Sequence, residues 1–203
     1  MGGAVRGLLV TDPAAVPERP TDDVDLVVEL TSLVDLTRFG DELRVRGFRE
    51  DTTPGAPICR WVVDDVKVDV MPTEGSILGF RNRWYGDAMG HPLEAHVDGA
   101  RIRIIDAPHF CATKLEAFSD RGGGDLYHHD LEDVIALVDG RAELHAELSA
   151  AADGVRRFVA DGLRGLLGQD RFLDALPGHL AADAAGQARL PLVIRRLRSL
   201  AAL

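Results

Sequence analysis

A strand carrying two aspartates on one face constrains this chain more than any other feature. It lies in Arg19-Pro20-Thr21-Asp22-Asp23-Val24-Asp25-Leu26-Val27-Val28-Glu29, where a polar, proline-bearing turn runs straight into an apolar run. Alternate residues of a strand point the same way, so Asp23 and Asp25 share a face. Val24, Leu26, Val28 and Leu30 line the other face, which suits a core. Adjacent carboxylates repel, and a divalent cation removes the repulsion. A third carboxylate stands in Val66-Lys67-Val68-Asp69-Val70-Met71, where the valines form the apolar face and Asp69 points the opposite way. Laid side by side, the two strands would make a site of Asp23, Asp25 and Asp69. Such sites hold two metal ions about 3.5–4 Å apart for phosphoryl or nucleotidyl transfer. A lone D-x-D is more often a solvated strand end, so the rest of the chain must decide.

The 203 residues suffice for one large domain, or a sheet domain with a helical extension. A net charge of −10 makes the surface as a whole repel nucleic acid, so such a partner needs a local basic patch. Cys59 and Cys111 each sit in an apolar run and read as buried free thiols of a cytoplasmic protein, with a disulfide the unsupported alternative. No apolar run approaches the roughly 18 residues of a membrane span and no leader is apparent.

Met1-Gly2-Gly3-Ala4-Val5-Arg6 reads as a glycine turn entering a short helix. Backbone N–H groups there could cradle a phosphate; the bland alternative is a frayed end. Thr11 to Thr21 carries Pro13, Pro17 and Pro20 and must be a loop. Ser32–Arg46 has Leu33, Leu36, Phe39 and Leu43 at helical spacing, and Gly47 ends it. A short strand is expected at Phe48–Glu50. Ile58–Val63 and Val66–Met71 flank Asp64-Asp65, a hairpin turn; Leu93–Val97 and Arg101–Ile105 flank a second, Asp98-Gly99-Ala100. Phe80–Met89 is ambiguous, with Trp84 and Tyr85 read as core or lid residues.

From Pro108 the periodicity is helical, to about Ser119 and again from about Asp130 to Val138. Glu143 to Ala201 reads as three or four helices interrupted at Gly168, Pro177-Gly178, Gly186 and Pro191. The fold class is therefore α+β: a mixed-sheet domain over 1–106 and a helical domain over 107–203, with the boundary near Asp106. Lys114 shares a helix face with Phe110, Cys111 and Phe118, so it either points into a cleft or snorkels to water. Asp130 and Asp133 lie one turn apart, and Asp130 alone would pass for an N-cap. His128-His129 invites a metal site, but adjacent side chains ordinarily point to different sides.

Taken in order, these pieces resemble the AbiEii-type toxin nucleotidyltransferases, a branch of the DNA polymerase beta-like nucleotidyltransferase superfamily. The resemblance rests on Gly2-Gly3, Arg19-x-Thr21-x-Asp23-x-Asp25, Asp69 in Lys67-Val68-Asp69-Val70, Lys114 in Ala112-Thr113-Lys114-Leu115-Glu116-Ala117, and Arg121 with Asp130-Leu131-Glu132-Asp133. It spans residues 2 to about 139; nothing after Gly140 matches a motif.

The resemblance implies a nucleotidyltransferase core, a nucleoside triphosphate substrate and Mg²⁺, two ions in all. Asp23, Asp25 and Asp69 would be the metal ligands, Asp69 also a candidate base for the attacking hydroxyl. Gly2, Gly3, Arg6, Arg19 and Thr21 would lie near the nucleotide. Lys114 would neutralise the triphosphate, and Asp130 would orient Lys114 or assist in proton handling. The acceptor implied is a tRNA end, in a toxin paired with an antitoxin protein. Two other readings stand beside this one: transfer to a small molecule or protein, and a nucleotide-binding partner without catalysis. A basic track from Arg195, Arg196 and Arg198 would argue for tRNA; an acidic cleft mouth would argue against it.

Overall fold

The computed structural model describes residues 2–15, 21–79 and 81–203. Arg19 therefore lies outside the described residues, as do Met1, Pro17, Pro20 and Phe80.

A single 3₁₀ turn, Gly3–Val5, runs into α1 (Arg6–Leu9). The first strand is β1 (Asp23–Val28). Helix α2 (Leu33–Val45) begins at Ser32, whose Oγ accepts from the Asp35 N–H at 3.1 Å. Gly47, at φ 87°, lets the chain turn out of the helix. Then follow β2 (Arg49–Glu50), β3 (Arg60–Val63) and β4 (Val66–Pro72). Asp64 and Asp65, at φ 46° and 66°, form the two-residue turn whose twist matches a hairpin. The four strands make one mixed sheet in the order β1-β4-β3-β2, with β1 parallel to β4 and the other pairs antiparallel.

Short helices α3 (Gly75–Leu78) and α4 (Tyr85–Gly90) lead to a separate ribbon of β5 (Leu93–Val97) and β6 (Ala100–Ile104). Its turn is Asp98-Gly99 alone; Ala100, expected in the turn, pairs with Val97 as the first residue of β6. The remainder is helical. Helix α5 (Ala107–Arg121) is capped by Asp106, whose Oδ1 accepts from the His109 N–H at 2.9 Å, and carries Pro108 in its first turn. Helices α6 (His129–Gly140), α7 (Leu144–Ala150), α8 (Asp153–Leu167), α9 (Asp170–Ala175), a 3₁₀ turn (Leu176–His179), α10 (Ala184–Gln187) and α11 (Leu190–Ala201) complete the chain. Among the described residues no strand follows β6. The last third breaks into more pieces than the expected three or four helices. Pro191 interrupts nothing: it sits in the first turn of α11, where its missing N–H costs no hydrogen bond.

The sheet buries only part of its apolar face. Leu43, Trp61 and Val70 form a small core with Val28, Phe39, Phe48 and Val68 packed on it. Val24 and Leu26, expected in that core, are 40% and 41% exposed, and Leu33 of α2 is 64% exposed. The reason is position: β1 is an edge strand, and the small core gathers on β3 and β4, with Val28 the β1 residue packed on it.

The main core crosses the expected boundary at residue 106. Val5 and Leu9 from the N-terminal turns, Trp84, and Ile104 and Ile105 from the ribbon pack with Phe110, Leu131, Leu137, Leu163 and Leu197. The N-terminal segment is fastened further by the Thr11 and Asp12 N–H groups, both donating to the Gly140 carbonyl at 2.9 Å. Cys59 and Cys111 are free and buried, and burial pushes their thiols up to about 11 and about 12. Because Leu9 is fully buried in this core, Leu9→Ala should cost about 2–5 kcal/mol. Urea unfolding measures it; a loss under about 1 kcal/mol would mean the first helix is only an appendage.

Candidate active site

The parallel register of β1 and β4 sets Asp25 beside Asp69 and Asp23 beside Lys67. Backbones of neighbouring strands lie about 4.8 Å apart, so Asp25 and Asp69 are lateral neighbours on one face. Across the hairpin, Arg60 is the register partner of Asp69. Its Nε donates to Asp69 Oδ1 at 2.8 Å and its Nη2 to Asp69 Oδ2 at 2.7 Å. The same Nη2 reaches over β4 to Asp23 Oδ2 at 2.8 Å. These bonds to Asp69 hold the Arg60 guanidinium still further above its ordinary value. Thr21, expected near the nucleotide, donates through Oγ1 to the Asp23 carbonyl and to Asp23 Oδ1, both at 3.2 Å.

Asp25 faces the N-terminal turn. A Cβ on Gly2, which has φ 74°, would fall 1.6 Å from Asp25 Oδ2, so only glycine lets the backbone lie against that carboxylate. Burial pushes the Asp25 carboxyl above its ordinary value; Asp23 and Asp69 add to the rise and the Lys114 charge opposes it. Gly3, within the 3₁₀ turn, is not part of the cleft lining. A 3₁₀ turn and a four-residue helix offer little aligned dipole.

A cleft of about 60 Å³ joins the two halves of the chain, lined by Gly2, Asp25, Tyr85, Lys114, Arg121 and Asp130, among others. Lys114 is 8% exposed and does not snorkel. Its Nζ lies 3.0 Å from Asp130 Oδ1 and 2.7 Å from Asp133 Oδ2, and it passes over the Phe110 ring. Asp130 is fully buried and also accepts from Arg121 Nε at 2.9 Å and Nη2 at 3.1 Å. Burial would raise its carboxyl, but the Arg121 hydrogen bonds and the Lys114 charge outweigh burial and hold it below its ordinary value. Asp130 is not the N-cap: His128 is, with Nδ1 accepting from the Asp130 N–H at 3.3 Å. Arg6, expected near phosphates, is buried with Nη1 3.3 Å from Asp133 Oδ1 and is not part of the cleft lining. It ties α1 to α6.

Arg60 had no role in the sequence reading, and Asp133 entered it only as the neighbour of Asp130 one turn on. Tyr85, read as a core or lid residue, lines the cleft, and burial, aided by the Asp25 charge, keeps its phenol protonated far up the pH scale. Nearby, Asn82 is fixed by donating to the Thr113 carbonyl at 2.8 Å. Asn82 also borders a polar cavity of about 640 Å³ lined by Arg81, Arg83, Arg103, Glu29 and Glu74. The larger cavity is of the size that takes a whole small ligand.

The donor set suits a hard divalent cation: three carboxylates on one sheet face, two of them already bridged by a cationic side chain. With Arg60 in place, Asp23, Asp25 and Asp69 do not close to mutual ligand distance. Among the described residues, the group that does, within 4.8 Å, is His128, His129 and Asp130. Its two imidazoles lie side by side, centroids 4.1 Å apart, not on opposite sides as expected of neighbours in sequence. Lys114 and Arg121 already hold Asp130 there, so a metal ion would meet two cations. Arg195 and Arg196 line a different cavity that shares no residue with the cleft, and Arg196 donates to the Val138 carbonyl.

Comparison with protein-family models, with curated proteins and with solved structures finds no match to this chain. Among the described residues no helix is long and apolar enough to cross a membrane.

Asp130→Asn should cost about 3 kcal/mol at neutral pH, the low end for breaking a buried pair, since Asp133 still balances Lys114. Because its folded carboxyl lies below the ordinary value, its contribution is complete above the ordinary carboxylate range and lost as pH falls through the lowered value. Denaturation of wild type and variant at pH 7 and near pH 2 checks this; a gap that persists undiminished in acid would contradict it.

Proposed function

We propose that this chain is a metal-dependent nucleotidyltransferase that moves a nucleoside monophosphate from a nucleoside triphosphate to an acceptor hydroxyl. The observation that carries the reading is that Asp25, from the sheet, and Lys114 with Asp130, from the helical half, line one cleft. A carboxylate row facing a buried, oriented ammonium is what phosphoryl chemistry needs, since it proceeds by positioning and charge neutralisation.

In this reading Asp23, Asp25 and Asp69 hold Mg²⁺, which supplies charge neutralisation and activation of the attacking hydroxyl. Asp130 and Asp133 fix the Lys114 ammonium so that its positive charge is presented at the cleft, with Arg121 beside it. Gly2 lets the backbone approach Asp25. Tyr85 remains a hydrogen-bond donor throughout the working pH range. The acceptor is an RNA end, entering by way of Arg81, Arg83 and Arg103. An acceptor that is a small molecule or protein is the second reading. It is favoured by the place of Arg195 and Arg196 in a cavity that shares no residue with the cleft and by the two glutamates among the cavity arginines. An antitoxin partner belongs to the first reading only.

The test is incubation with each labelled nucleoside triphosphate, Mg²⁺ and total tRNA, followed by separation of RNA, protein and small molecules. Label should enter RNA, vanish with chelator, and be lost in Asp25→Asn. Lys114→Ala should slow transfer by about 10²-fold or more if its charge acts on the transition state. Label confined to another fraction would favour the second reading. No transfer under any condition would contradict the proposal.

A further inference from the structure

We infer that Arg60 is an internal counter-cation of the carboxylate site, and that metal loading must displace its guanidinium from Asp23. The inference rests on the metal-binding reading above. Its basis is geometric. The fork of Arg60 takes both oxygens of Asp69, and the same Nη2 reaches Asp23 Oδ2. One guanidinium thus bridges carboxylates from two strands, occupying oxygens that a shared cation would use. The Arg60 and Asp69 side chains are 16% and 11% exposed, so the attraction is only partly screened.

Arg60 is also placed to do this by the backbone itself. It is the register partner of Asp69, two residues of paired strand further from the hairpin turn than Val62 and Lys67. It therefore stands on the carboxylate face in line with Asp69 and Asp25. A cation at that position relieves the repulsion of Asp23 and Asp69 when no metal is bound and competes with the metal for the same charge. Removing it has opposite consequences under the two roles open to it. If Arg60 competes, its loss tightens metal binding. If it only aligns the carboxylates, its loss weakens metal binding.

The experiment is Mn²⁺ binding, followed by titration calorimetry and by the spin-resonance signal of free Mn²⁺, on wild type, Arg60→Gln, Arg60→Lys and Asp25→Asn. Arg60→Gln should bind about tenfold more tightly or better, as expected when a unit charge a few ångströms away is removed at intermediate dielectric. Arg60→Lys, which keeps the charge and loses the fork, should fall between. Unchanged or weaker binding by Arg60→Gln, with wild-type binding intact and dependent on Asp25, would overturn the inference and leave the metal site standing. No Mn²⁺ binding by wild type or by Arg60→Gln would overturn the metal reading and the inference together. Should Arg60→Gln fail to fold, the wild-type side chain reports directly. The Nε–H resonance of Arg60 should shift and exchange faster with water on Mg²⁺ saturation; a resonance unchanged at saturation overturns the displacement.

Discussion

The Lys114 ammonium, enclosed between Asp130 and Asp133, is the interaction on which the rest of the site depends. A lysine this deeply buried is tolerable only when its charge is matched and its hydrogen bonds are made. Here α6 supplies both carboxylates from successive turns of one helix. Each is shared: Asp130 with Arg121, and Asp133 with Arg6. The network therefore joins α1, α5 and α6 around one ammonium and fixes where that ammonium points. Such an arrangement adds little net stability over an apolar core of the same volume. Its value lies in orientation, and the orientation is toward the cleft that also contains Asp25.

The sheet solves the reverse problem. Its carboxylates come from two parallel strands and would repel if left alone. Arg60 supplies the compensating charge from the third strand. Two clusters of opposite excess thus meet at the cleft, acidic from the sheet and basic from α5. The shared hydrophobic core, running from Leu9 through Ile105 to Leu197, holds the N-terminal turn, the ribbon and the helical half together beside it. Gly2 brings the N-terminal turn against Asp25, an approach that any side chain would block.

Much of this was legible from the residues. The alternation in β1 and β4 placed Asp23, Asp25 and Asp69 on one face, and the apolar stripe of α5 put Lys114 at its edge, open between a cleft and snorkelling. Both are periodicity arguments, and periodicity is the strongest signal a sequence carries. Val24 and Leu26 defeated the same argument because alternation names a face without saying how much of it a partner covers. Arg60 was legible and overlooked: once Asp64-Asp65 is the turn, counting outward pairs residue 60 with 69. Asp130 was ambiguous because an aspartate at a helix start serves equally as a cap or a counter-ion. Only the position of His128 relative to its N–H separates the two. The fate of Arg6, which pairs with a residue on a distant helix, had no local signal at all.

The central claim is that the sheet carboxylates and the buried lysine act on one ligand. A double-mutant cycle on binding of a non-transferable nucleoside triphosphate analogue in Mg²⁺ tests it most directly. The variants are Asp25→Asn, Lys114→Met and the pair, each first shown by circular dichroism to be folded. A coupling energy above about 1 kcal/mol, together with loss of wild-type binding on chelation, is the expected result. Additive effects, or binding indifferent to Mg²⁺, would contradict it.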